Sequence, residues 1–157
     1  MATGFGLKLV GRLGGGEPHI GTYSVPASYG TALYVGDPVK VVDTTGTMDA
    51  TSQYITINAA ATGNPILGVV VGFKPEASLP YTGHYNPAST ARLVEVCDDP
   101  NAIYEVQEDG LVTPLTAALV GSLSNADIIV AAGSAYTGLS GVMLNSDTAG
   151  AGAEGGV

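Results

Sequence analysis

The apolar residues of this chain never run on for long. From Ala32 to Asn145 they come in short bursts of Val, Ile, Leu and Ala, broken by Gly, Pro, Asp and Asn. Most of these bursts suit strands. The breaks carry turn chemistry, because Pro presets φ while Gly and Asn accept backbone angles that other residues avoid. Ala32–Val42 reads as strand, Gly-Asp-Pro corner, strand, and Asp43-Thr44-Thr45-Gly46 ends it. Gln53–Ile57 alternates as a further strand. Ile66–Phe73 (ILGVVVGF) is the most apolar run, and its β-branched residues predict a strand covered on both faces. Gly68 and Gly72 within it predict a bulge or a close backbone approach. Asp127–Ala131 and Val142–Asn145 complete a series of short strands at near-regular spacing.

The best-specified stretch is Pro87–Gly110. Leu93, Val94 and Val96 lead into Asp98-Asp99-Pro100-Asn101, a turn, and Ile103, Tyr104 and Val106 lead out of it. On the outgoing side Tyr104, Val106 and Glu108 alternate with Ile103, Glu105 and Gln107, the period of a half-buried antiparallel strand. This predicts a hairpin around which the other strands gather. The expected fold is all-β: a single antiparallel β-barrel or β-sandwich, jelly-roll-like, over residues 32–145. One short helix is expected near 113–121, with Thr113 as cap, Pro114 at the first position and Gly121 past the end. Residues 146–157, SDTAGAGAEGGV, read as a flexible Gly/Ala-rich tail.

Residues 1–31 form an extended, Gly-rich N-terminal arm in this reading, with Leu7–Val10 as a candidate short strand. Apolar residues recur through it: Phe5, Leu7, Leu9, Leu13, Ile20, Tyr23, Val25 and Tyr29. A disordered tail carries fewer such residues, so the arm is expected to lie on something, either its own domain or a neighbouring subunit. Gly11–Gly16 is not a phosphate loop, since it lacks the Lys-Ser/Thr ending and no helical pattern follows. The Lys74–Asn86 loop is long enough to suggest function. It brings Tyr81, His84 and Tyr85 together at its tip, and Tyr is a frequent interface anchor. His84 has no neighbouring carboxylate to orient it, so surface contact is preferred over catalysis.

Charge narrows the partners. The 157 residues carry a net charge of −9, only 12% are Asp, Glu, Lys or Arg, and no basic residue follows Arg92. With no basic stripe, nucleic acid and anionic membrane surfaces are not expected partners. No apolar run reaches the roughly 20 residues that span a bilayer, and no leader peptide is recognisable. The single cysteine, Cys97, reads as a small buried hydrophobe. No zinc-ligand spacing and no GxSxG elbow occurs. Glu95, Asp98, Asp99, Glu105, Glu108 and Asp109 form an acidic group without EF-hand spacing. It reads first as solvated turns and strand ends, then as a partner-facing patch or cation site, and last as an acid/base pair. No catalytic residue, cofactor or metal is assigned.

Several of these pieces carry a resemblance when taken in order. They are GTALYVGDPV (30–39), ILGVVVGF (66–73), STAR (89–92), Asp98-Asp99-Pro100 and EVQEDG (105–110). Over roughly residues 22–145 the chain resembles small structural proteins of tailed bacteriophages, of the capsid decoration or cement kind. The resemblance implies a virion protein made in the host bacterial cytoplasm and placed on the outer surface of the capsid. There it would bridge neighbouring subunits of the major capsid protein and self-associate as a dimer or trimer at a symmetry axis. The residues expected at these interfaces are Phe5, Leu7, Leu9, Tyr23, Val25, Tyr29, Tyr81, His84 and Tyr85. The alternative is a host-surface or carbohydrate-binding β domain of a head fibre or tail, and a third class is a hydrolase using the acidic group.

Overall fold

A computed structural model describes residues 4–42, 48, 52–79, 83–110, 114–117 and 126–148. The strands are β1 (Lys8–Arg12), β2 (Ile20–Val25), β3 (Leu33–Tyr34), β4 (Pro38–Val41), β5 (Ile57–Ala59), β6 (Gly68–Phe73), β7 (Tyr85–Asn86), β8 (Arg92–Cys97), β9 (Ala102–Glu105), β10 (Ile128–Ile129) and β11 (Met143–Leu144). A 3-10 turn follows at Ser146–Thr148. Most of the helix expected near 113–121, and the tail beyond Thr148, lie outside the described residues.

The main sheet is antiparallel, with strand order β2-β8-β6-β4-β5; β1-β9, β3-β7 and β10-β11 form two-stranded ribbons. The sheet curls on itself: Ser24, in one edge strand, bridges Thr56 just before the other edge strand. It does not close along its length, so the fold is sandwich-like and all-β and not a barrel. Inside lie Val25, Leu33, Val39, Ile57, Val70, Val94 and Val96, none more than 1% exposed. Every strand of the main sheet contributes at least one of them. Burying each such aliphatic side chain is worth roughly 1.5–3 kcal/mol. β8 alternates, with Val94 and Val96 buried and Leu93 and Glu95 half-buried.

The two glycines of the apolar run each have a spatial reason. The register of β6 against β8 slips between Val70 and Gly72, a bulge. A side chain at Gly68 would collide with the Cys97 carbonyl on β8.

Three expectations change in detail. The Asp98–Asn101 turn is real, with the Asn101 amide donating to Asp99 Oδ1 at 2.8 Å and the Ala102 amide to the Asp99 carbonyl at 3.1 Å. The strands on either side of it are not a hairpin. β8 pairs with β2 and β6, and β9 pairs with β1. Both edges of β8 are already occupied, so β9 has no free ladder there and leaves for a second sheet. The strand expected at Gln53–Ile57 is shorter at its start: Gln53 has φ 60°, Ile55 and Thr56 make isolated bridges, and the strand proper runs over Ile57–Ala59. Finally, the candidate strand in the arm at Leu7–Val10 is β1, a second strand, β2, runs over Ile20–Val25 of the same segment, and of the two surfaces open to it the segment lies on its own domain.

Candidate functional site

Between the β1-β9 ribbon and the main sheet lies an apolar groove of about 560 Å³. Phe5, Leu7 and Leu9 wall it on the ribbon side, with Val35, Val70, Val71 and Leu139 opposite. The segment before β1 is seated by a backbone crossing: the Leu7 amide donates to the Gly36 carbonyl at 3.0 Å. Gly6 (φ +76°) and Gly36 (φ +92°) meet there, and a side chain at Gly6 would come 2.9 Å from the Gly36 carbonyl oxygen. At the rim Lys8 faces Glu105 across the ladder at 3.5 Å, both side chains well exposed. The ribbon and the residue after β1 carry further uncovered apolar side chains. Val10 is 54% exposed, Leu13 69% and Ile103 44%.

A second surface surrounds the long loop. Tyr85 stacks on Tyr34 with ring centroids 5.6 Å apart and planes 10° from parallel. The His84 ring tilts against Tyr85, and its Nε2–H donates to the Ala135 carbonyl at 2.8 Å. The neighbouring Tyr136 projects almost fully into solvent, 95% exposed. The loop's two necks are joined by Arg92, which is buried. Its Nε donates to the Lys74 carbonyl at 3.0 Å and its Nη1 to the Tyr85 carbonyl at 2.9 Å. The guanidinium carbon lies 5.2 Å from the centroid of the Phe73 ring. Burial pushes the Arg92 pKa down, and the nearby Glu76 charge opposes this.

The acidic group is dispersed into separate pairings. Glu95 meets Lys74 at 2.5 Å, Glu105 meets Lys8, and Asp109 accepts from the Ser146 hydroxyl at 2.8 Å. Glu108 accepts from the Leu115 amide at 2.6 Å. Asp98 and Asp99 do converge, on the N-terminal segment. Tyr23 donates its hydroxyl to Asp98 Oδ2 at 2.6 Å, His19 Nδ1 bonds Asp98 Oδ1, and Arg12 Nε donates to Asp99 Oδ2 at 2.6 Å. Burial pushes Asp98 up, but the bonds from Tyr23 and His19 outweigh it and hold the carboxyl below its ordinary value. Asp99 is held low by the Asn101 amide first, then by Arg12, against partial burial. Burial, and then the bond to Asp98, pushes Tyr23 up to about 12. Among the described residues no three His, Cys, Asp or Glu side chains are grouped to hold a metal ion. Cys97 is buried.

The expected interface residues therefore separate. Phe5, Leu7 and Leu9 share the groove, and His84 and Tyr85 share the aromatic surface. Tyr81 lies outside the described residues. Tyr23, Val25 and Tyr29 belong to the protein's own packing. Val25 is 1% exposed, Tyr23 and Tyr29 pack on the core, and the Tyr29 hydroxyl accepts from the Ala59 amide at 3.3 Å. A side chain used in the core offers little to a partner. Sequence reasoning missed the His19–Asp98 and Arg12–Asp99 pairings, whose partners stand 79 and 87 residues apart. The available signal was a lone Arg and a lone His in an arm almost free of charge. Known protein families, characterised proteins and solved structures contain no match to this chain.

Proposed function

We propose that this chain is a structural protein of a bacteriophage virion that decorates the capsid and cements neighbouring subunits of the major capsid protein. The observation that carries this reading is the uncovered apolar surface of the β1-β9 ribbon. The groove is walled by Phe5, Leu7 and Leu9, and the same ribbon carries exposed Val10, Leu13 and Ile103. Uncovered apolar surface marks interaction sites on soluble domains when it gathers into patches. The resemblance in the sequence is what supports a capsid lattice as the partner. The role is mechanical, with no catalytic step assigned. A bridge that binds only the expanded shell stabilises it by mass action, and many modest contacts on a symmetric lattice add up.

The test compares virions with and without this protein under heat or chelator. The expected result is earlier rupture without it and hundreds of copies per intact particle, since a role at every lattice contact requires many copies. Equal shell stability in the two preparations would end the reading.

A second reading, a carbohydrate- or host-surface-binding domain, is favoured by one feature: Tyr136 stands free beside His84 and the Tyr34–Tyr85 stack. Glycan binding by the isolated protein, lost on Tyr136→Ala, together with a dozen or fewer copies per particle, would select it over the first.

A further inference from the structure

The β1-β9 ribbon is joined to the main sheet by two crossings that lie against each other. Residues 13–19 carry the chain from β1 to β2, and residues 98–101 carry it from β8 to β9. The Leu13 amide donates to the Asn101 carbonyl at 2.8 Å. The other bonds between the crossings run to two carboxylates. Asp99 Oδ2 receives Arg12 Nε and, at 3.3 Å, the His19 amide. Asp98 receives the His19 ring and the Tyr23 hydroxyl.

The first crossing has little packing of its own. Gly14, Gly15 and Gly16 all take positive φ, +86°, +82° and +87°, and a side chain at any of them would meet nothing within 4 Å. Its position rests on the bonds at its two ends. A two-stranded ribbon is itself marginal in water, so what fastens its crossings governs how firmly it sits. The ribbon forms one wall of the apolar groove through Leu9, Lys8 and Glu105.

One member of this knot changes charge near neutrality. Asp98 and Asp99 face His19 from the corner and stay ionised. The Arg12 guanidinium at the end of β1 is a permanent cation. Tyr23 on β2, and Tyr104 on β9 with its hydroxyl 3.2 Å from the Cys97 carbonyl, both titrate far above neutrality. Glu17, in the same crossing, is exposed. His19 alone is left to respond to physiological pH.

We propose that His19 is a pH-operated latch: protonated, it fastens the β1–β2 crossing to the β8–β9 corner, and on losing its proton it loosens the ribbon and with it one wall of the groove. The hydrogen bond to Asp98 is the largest cause raising the His19 pKa, followed by the Asp98 charge, with a smaller contribution from Asp99. A histidine whose folded-state pKa lies above its ordinary 6.5 contributes its stabilisation fully below that value. The contribution is lost as pH rises through the raised value. The latch therefore closes in acid and opens towards alkaline pH. This inference is independent of the capsid reading, because it concerns the isolated chain.

The experiment is amide hydrogen exchange on the full chain from about pH 5.5 to 8.5, the range histidine titration covers, corrected for intrinsic exchange. Protection of Leu13, His19 and the β1 and β9 amides is expected to fall about two- to five-fold across the range, the scale of an exposed ion pair. His19→Gln keeps a polar contact to Asp98 but cannot charge, and its profile is expected to be flat. His84→Gln is expected to retain the response. In proton NMR, Asp98→Asn is expected to bring the His19 titration midpoint down towards 6.5. A flat wild-type profile, a pH response that survives His19→Gln, or an unmoved His19 midpoint in Asp98→Asn would overturn the latch.

Discussion

Asp37 is a carboxylate whose burial works against its charge. It sits in the Gly-Asp-Pro corner between β3 and β4, 7% exposed. Its Oδ2 accepts from the Tyr34 amide at 2.8 Å, which closes the corner. Burial raises its pKa, and the bonds from Ser140 and the Tyr34 amide offset this only in part. The folded state thus holds the Asp37 proton more tightly than the unfolded chain does. Stability contributed by this group falls as pH climbs from the ordinary carboxylate value, 3.8, through the raised one. Asp37→Asn keeps an acceptor oxygen for the Tyr34 amide and removes the charge. Its thermal midpoint at pH 7 is expected to equal or exceed that of the wild type. The fall in stability on the alkaline side of the carboxylate range is expected to flatten. Melts at a series of pH values check both, and a lower midpoint at pH 7 would show that the charge itself is stabilising. The corner was legible because Gly, Asp and Pro each have a local reason to be there. The burial of Arg92 was not, because its partners are main-chain carbonyls of Lys74 and Tyr85, which leave no trace in side-chain pattern.

At the scale of elements, β6 depends on a residue that has no side chain. Gly68 faces the end of β8, and a Cβ there would strike the Cys97 carbonyl and come 2.8 Å from Val96 Cγ1. Neither neighbour is the free end of a flexible side chain. Gly68→Ala is expected to cost about 1–3 kcal/mol by overpacking, read by denaturant unfolding. Gly30→Ala is the control. A side chain at Gly30 would meet nothing within 4 Å, so its stability is expected to stay within about 0.5 kcal/mol of wild type. That Gly68 and Gly72 mark special backbone could be read from their place inside ILGVVVGF. The pairing of β8 and β9 could not. The apolar run before the turn and the alternation over 103–108 specify strands, and Asp98-Asp99-Pro100-Asn101 specifies a turn. Neither says whether the turn folds a strand back on its predecessor or sends it elsewhere. That choice was made by β2 and β6, which take both edges of β8, and by β1, which sits far off in sequence. The N-terminal segment was only partly legible for the same reason. Its glycines argue against regular structure locally, while its ladders to β8 and β9 are long-range.

For the whole molecule, the balance of charge bears on how it would hold a capsid. The net charge is −9, yet the surface is poor in charge of either sign. Lys8, Arg12 and Lys74 are each paired with a carboxylate of this chain, and Arg92 is buried. Few cations are left to meet a partner. A cement contact through the ribbon would therefore rest on Phe5, Leu7, Leu9 and the exposed Val10 and Leu13. An apolar contact and an ionic one respond to salt in opposite ways. Ionic contacts between exposed groups are screened once the Debye length falls to a few ångströms, at about 1 M salt. Apolar burial is strengthened by sulfate, which is excluded from protein surface. Occupancy of this protein on capsids lacking it is expected to hold as NaCl is raised and to increase in ammonium sulfate. Val10→Asp combined with Leu13→Asp is expected to abolish that occupancy while leaving the melting midpoint close to wild type, because both side chains are exposed and contribute little to the core. Steep loss of binding in NaCl, with the double variant still bound, would instead assign the contact to the acidic surface meeting a basic capsid. The ribbon would then have to be given another role.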